Sequence, residues 1–196
     1  MASKLIPIEV SGRHLHISEA DYKKLFGPDH QLQVLKKLSQ PGQFACVETV
    51  RVIGPAGEFP AVRIVGPVRS QTQLELSLTD CLSLGIAPKV RVSGDLEKSN
   101  GDVTLTGQAG QVELKKGVIV AQRHLHIAPL SAKTLGLKHL DLVSVKTLGQ
   151  RSVLFEQVVV RSRENIDELA FMIDTDEANA AGVKTGDQGE LIIKKS

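Results

Sequence analysis

A chain of 196 residues is long enough for one large domain or two small ones with an ample buried core. Its net charge of +2 advertises no polybasic surface for nucleic acid or membrane, and with no Trp and aromatics at 3% it lacks the stacking platforms of single-stranded nucleic-acid binders. No stretch approaches the length of a membrane span and the N-terminus has no apolar signal core, so the expectation is a cytoplasmic protein acting on something small.

The first apolar stretch, Ile6, Ile8 and Val10, leads into Arg13-His14-Leu15-His16-Ile17, after which Ser18 caps a predicted helix over 19–26. Gln40-Pro41-Gly42-Gln43 reads as a turn carrying two amides, a candidate substrate-binding loop. Apolar-polar alternation then predicts strands at 50–53, 62–65 and 74–78, with turns at Gly54-Pro55, Gly57 and Gly66-Pro67. Arg69 opens a polar run, Ser70-Gln71-Thr72-Gln73, that suits a core strand poorly. A fixed guanidinium near a metal would clamp phosphate bidentately, although on spacing alone a surface arginine in a turn fits equally well.

A short helix at 80–84 stopped by Gly85 leads to a strand at 90–92, with Ser93 beyond it as a further substrate-binding candidate. Turns at Gly94-Asp95, Gly101-Asp102, Gly107 and Gly110 precede a strand at 112–114. The apolar run Val118-Ile119-Val120 then leads into Arg123-His124-Leu125-His126-Ile127, a letter-for-letter copy of the first pentapeptide. Helices at 132–135 and 177–181, stopped by Gly136 and Gly182, and strands at 143–145, 158–160 and 191–193 complete the second half. The shared order of motifs predicts two diverged copies of one β-rich unit, 1–105 and 106–196. So many short strands would leave long open edges unless closed, which favours a tandem pair of small β-barrels with short capping helices.

The two His-x-His pairs hold four of the six histidines. In an extended strand, residues two apart share a face, so each pair can aim two imidazoles at one point. Imidazole is a common zinc ligand, and the adjacent Arg13 and Arg123 suit an anionic substrate. Glu75, between Leu74 and Leu76, fits either a solvated strand face or a third ligand, and the doubling favours the ligand. The matching stretch of the second half, Phe171-Met172-Ile173, has neither carboxylate nor imidazole. Cys46 and Cys81 form no metal or redox pair and read as small buried hydrophobes, with Cys46 the one residue that could act as a nucleophile. No phosphate-loop, dinucleotide-binding, zincin or hydrolase-elbow motif is present.

Several segments taken in order resemble the PduL-type phosphotransacylases, or phosphate propanoyltransferases. They are Val10-Ser11-Gly12-Arg13-His14-Leu15-His16, Leu38-Ser39-Gln40-Pro41-Gly42-Gln43-Phe44, Arg63-Ile64-Val65-Gly66-Pro67-Val68-Arg69-Ser70, the stretch 117–126, and Ile173-Asp174-Thr175-Asp176-Glu177-Ala178-Asn179-Ala180. The resemblance implies tandem β-barrels with two zinc ions between them and transfer of an acyl group between coenzyme A and phosphate. It implies a first zinc on His14, His16 and Glu75, a second on His124 and His126, and phosphate held by Arg69. Members of the family usually have a third histidine where this chain has Met172, which implies a weaker second zinc unless water or a donor such as Asp174 replaces it. Microcompartment-bound members carry an N-terminal extension, and this chain, beginning almost at its first strand, resembles a free cytoplasmic form.

The resulting expectation is direct attack by phosphate on the thioester carbonyl, with zinc polarising that carbonyl. Oligomeric state, including a homo-oligomer, is left open. Two rivals remain: a zinc-dependent hydrolase of thioesters or acyl phosphates, and a binding module with structural zinc. The second would normally close its metal with four protein ligands, more than either half supplies.

Overall fold

The computed structural model describes residues 4–87 and 89–193; the expectation about the N-terminus extends to 1–3, which lie outside the described residues. The first half of the chain gives β1 (Lys4–Ser11), β2 (His14–His16), α1 (Glu19–Phe26), β3 (Val34–Lys37), β4 (Phe44–Ile53), β5 (Glu58–Gly66), β6 (Gln73–Glu75), α2 (Leu78–Leu84) and β7 (Val90–Arg91). The second gives β8 (Val103–Thr106), β9 (Gln111–Leu114), β10 (Val118–Ala121), β11 (His124–His126), α3 (Pro129–Thr134), β12 (Leu142–Thr147), β13 (Leu154–Arg161), β14 (Ala170–Asp174), α4 (Thr175–Ala181) and β15 (Gln188–Ile192). Among the described residues no helix is long and apolar enough to cross a membrane.

The fold is mainly β, as expected, but its contacts fall into units that depart from a linear cut at 105/106. One unit joins the residues up to Gly12 with those from Gln122 onward, and the other is Arg13–Ala121. The reason lies in strand pairing. β1 runs parallel to β14, with Ile8 opposite Phe171, and antiparallel to β15, whereas β10 runs parallel to β6, with Ile119 opposite Glu75, and to β7. The strand leading into each His-x-His therefore completes the sheet of the unit that does not contain that motif. Alternation along a strand sets which face is buried but not which strand lies alongside, so the exchange is invisible to pattern reading.

The unit containing β11 is a closed barrel in the order β1-β14-β11-β13-β12-β15. Ile6, Ile8, Leu125, Val160 and Phe171 fill it, all 0% exposed. The Arg13–Ala121 unit is a nine-stranded sheet ordered β7-β10-β6-β2-β5-β4-β8-β9, with β3 added to β4, and it curls as a half-barrel rather than closing. Leu15, Ile17, Leu25, Ile64, Leu74 and Leu105 form its core. Burying each such side chain contributes about 1.5–3 kcal/mol, enough to pin the strands that carry the histidines.

Local chemistry places the helices. Ser18 accepts from the Asp21 N–H, Ser77 and Asp80 form a reciprocal capping box, and Asp174 accepts from the Glu177 N–H. Gly85 and Gly182 end α2 and α4 at φ 73° and 64°, a left-handed conformation that a Cβ would disfavour. The strand expected over 74–78 stops at Glu75, because Ser77 serves as the cap of α2. β3, with all four residues exposed, carries no alternation for a sequence reading to find.

Candidate functional site

β2 lies between β5 (parallel) and β6 (antiparallel), with His14 opposite Glu75. This register puts both imidazoles and the carboxylate on one face. His14 Nε2 and His16 Nε2 are 3.2 Å apart, and each lies 3.7 Å from a Glu75 oxygen. Zinc bonds of about 2.0–2.2 Å in a tetrahedron separate neighbouring donors by roughly 3.3 Å, so these distances suit three donors of one coordination shell. It is the sole three-ligand group of His, Cys, Asp or Glu among the described residues.

The surroundings prepare these donors. Burial, then the neighbouring His14, push the His16 imidazole down to about 3, with Glu75 opposing and the Arg69 charge adding to the fall; the ring is neutral near pH 7 and its Nε2 lone pair is available. His16 Nδ1 lies 3.1 Å from the Val65 carbonyl, which fixes the proton there. Ser93, a substrate-binding candidate, donates to Glu75 Oε1 at 2.8 Å, and Gln73 donates both to Ser93 Oγ at 3.0 Å and, by a short bond, to Glu75.

Arg69 is anchored through its backbone. Its N–H donates to the Ile17 carbonyl at 2.8 Å and it bridges to Ser18, so its backbone is held beside the residues that follow the strand bearing His16. Gly66 makes the approach to this loop possible, since a Cβ there would come within 2.4 Å of the Phe44 ring. Gln40 and Gln43 form the tight turn between β3 and β4, where the Gln43 N–H donates to the Gln40 carbonyl at 3.1 Å and the Gln40 side chain is buried against Ser39.

The two repeat arginines meet a competing partner. Arg13 donates to Asp80 Oδ1 at 2.6 and 3.0 Å and stacks 4.0 Å from the Phe59 centroid. Arg123 pairs with Glu177 at 2.7 Å and lies 5.3 Å from the Phe155 centroid. Each guanidinium pairs with the third residue of a helix and lies against an aromatic face. Asp80 and Glu177 are thus functional-looking carboxylates with a structural use.

The second pair repeats the geometry with one change. β11 lies between β13 and β14, His124 Nε2 and His126 Nε2 are 3.1 Å apart, and Met172 stands opposite His124 in the register Glu75 holds opposite His14. The backbone therefore gives Met172 the register position that Glu75 has in the first pair. Asp174 caps α4, its Oδ1 accepting from the Glu177 N–H at 2.9 Å. Asp167, which the sequence reading missed, sits 2.6 Å from His126 Nδ1 and is also held by Arg163. Burial would push the Asp167 carboxyl up, but the bonds from His126 and Arg163 outweigh it and hold the group well below the usual carboxylate range. Burial also lowers the His126 imidazole, with Asp167 opposing.

Comparison with known proteins gives this geometry a setting. The family model for phosphate propanoyltransferase matches residues 7–184. The chain belongs to this family. It is 47% identical over 187 residues to a phosphate propanoyltransferase of Sebaldella termitidis, covering 95% of this chain and 88% of that one. Phosphate propanoyltransferases of Thermotoga maritima and Salmonella typhimurium are each 46% identical over 183 residues, covering 93% of this chain and 86% of theirs.

As a member of the phosphate propanoyltransferase family the protein is an acyltransferase enzyme, which raises the question of whether an acyl group passes through a thiol. Cys46 is fully buried in β4, and burial, then Glu48, push its thiol up to about 11. A protonated, inaccessible thiol is a poor nucleophile. Cys46→Ala is therefore expected to keep its turnover while losing about 1 kcal/mol of stability, checked by steady-state kinetics beside thermal unfolding. Turnover lost in a folded variant would restore Cys46 as an acyl carrier.

Proposed function

We propose that the protein exchanges a short-chain acyl group between coenzyme A and inorganic phosphate, by direct attack of phosphate on the thioester. The observation that carries the reading is the convergence of His14, His16 and Glu75, their donor atoms within 4.8 Å of one another, with the Arg69 charge close enough to depress His16. Membership of the phosphate propanoyltransferase family supports the same substrates. The donor set fits zinc, a borderline cation that takes imidazole and carboxylate. His14, His16 and Glu75 would hold one ion and His124 and His126 a second. Bound there, zinc would polarise a carbonyl and ease departure of a thiolate.

The remaining chemistry falls to the chain. Arg69 holds the phosphate oxygens and keeps one of them in line with the carbonyl carbon, converting a bimolecular encounter into a positioned attack. The new bond joins phosphate oxygen to acyl carbon, the carbon–sulfur bond breaks, and coenzyme A leaves as thiolate. Ser93 and Gln73 keep the Glu75 carboxylate in place throughout. Neutral His16 has no charge with which to bind phosphate itself.

The test is incubation of metal-replete protein with acetyl-, propionyl- or butyryl-CoA, with and without phosphate, following free thiol and acyl phosphate. Thiol release that depends on phosphate and yields acyl phosphate is the expected result. Release without phosphate would make the enzyme a hydrolase and overturn the proposal. Arg69→Ala should remove a charge-assisted phosphate contact worth about 1.5–3 kcal/mol, raising the KM for phosphate roughly 10–150-fold with little change for the thioester. An unaltered phosphate KM would take Arg69 out of the site.

A further inference from the structure

We infer that Asp167, held by Arg163, is a positioning residue that locks the His126 ring in the tautomer whose Nε2 lone pair faces His124. The link from this tautomer to catalysis rests on the metal reading above, but the tautomer itself does not. Asp167 lies in the segment between β13 and β14, and its side chain is 0% exposed. It accepts from Arg163 Nη2 at 2.9 Å on Oδ1 and from Arg163 Nε at 3.0 Å on Oδ2, and His126 Nδ1 lies 2.6 Å from Oδ1. An ionised carboxylate can only accept, so the His126 Nδ1 must carry the proton and Nε2 is left bare. His124 is set the same way, its Nδ1 2.8 Å from the Gln122 carbonyl. Two unprotonated ring nitrogens facing each other at 3.1 Å repel unless a cation lies between them.

The first pair manages its ring differently, and the contrast gives Asp167 its use. His16 is oriented by a backbone carbonyl, and the pair's carboxylate, Glu75, stands across the strand as a donor. In the second pair that donor position holds neutral Met172, and the carboxylate sits behind His126 instead. Each pair thus has one negative charge, placed among the donors in one case and behind a donor in the other. A carboxylate behind a ligating imidazole raises its basicity and fixes its orientation. What affinity the second pair has despite Met172 therefore depends on Asp167 more than the first depends on any residue behind its rings.

The experiment reads imidazole nitrogen shifts by long-range NMR in 15N-labelled, metal-free protein at neutral pH, for wild type, Asp167→Asn, Asp167→Ala and Arg163→Gln. Wild-type His126 is expected as the Nδ1–H tautomer. The two Asp167 variants should shift it toward Nε2–H, and Arg163→Gln should shift it less, because the carboxylate remains. A carboxylate that merely ties down the 162–169 segment would lower thermal stability without moving the tautomer. Should the alanine variant not fold, the isosteric asparagine variant answers the same question. Zinc titration against a competing chelator should then show the weaker site losing about 10–100-fold in affinity with the stronger site unchanged. A His126 that keeps its Nδ1–H in both Asp167 variants overturns the inference, as does a changed tautomer with unchanged zinc affinity. Were wild type to bind no second ion, the metal reading of that site would fall, and the tautomer result alone would decide the positioning role.

Discussion

Glu75→Gln is expected to remove one zinc per chain and to lower turnover by on the order of 100-fold or more. The substitution keeps shape but loses charge. A neutral amide oxygen is a weaker donor to zinc than a carboxylate, and the Ser93 and Gln73 donors that converge on Glu75 would face an amide whose N–H2 competes with them. The two imidazoles alone, 3.2 Å apart, would leave half a tetrahedron. Elemental analysis and steady-state kinetics on the same preparation check both halves of this result. Retained zinc with retained turnover would return Glu75 to the status of a buried, hydrogen-bonded strand residue and remove the carboxylate from the reaction.

How much of this was legible in the sequence differs from residue to residue. His14, His16 and Glu75 could be grouped because period-two spacing and a repeated motif are local signals, and β2 and β6 then placed them opposite one another. The cap of α1 at Ser18 was legible for the same reason, whereas the Ser77 cap cut short an apparent strand because two local signals compete at one residue. The exchange of β1 and β10 between units was not legible, since Ile8 opposite Phe171 and Ile119 opposite Glu75 are choices of neighbour rather than of pattern. Asp167 was missed because it lies forty-one residues from His126 in a segment without periodicity, and only folding brings the two within 2.6 Å. Arg13 and Arg123 were read from the sequence for their charge, and their carboxylate partners were not. A guanidinium beside a His-x-His suits phosphate, but each finds a carboxylate at the third position of a helix built into the same fold.

Met172→His is expected to raise both zinc content and turnover, from a wild type that holds nearer one zinc than two per chain after mild dialysis. The backbone already provides the position: Met172 opposes His124 as Glu75 opposes His14, so an imidazole there would enter on the same face as the other two. A thioether donates weakly to a borderline cation, which would leave an ion at the second pair with two strong ligands, His124 and His126. Asp174, the nearby carboxylate, accepts from the Glu177 N–H on Oδ1 as the α4 cap. Supplying a third nitrogen should therefore convert a loosely held ion into a retained one, without disturbing the first site. Loss of zinc on dialysis, measured by elemental analysis for wild type and variant side by side, separates the two cases. If the wild type keeps two zinc ions through chelator treatment, a different donor completes the second site, and the Met172 position is not where this chain's affinity is set.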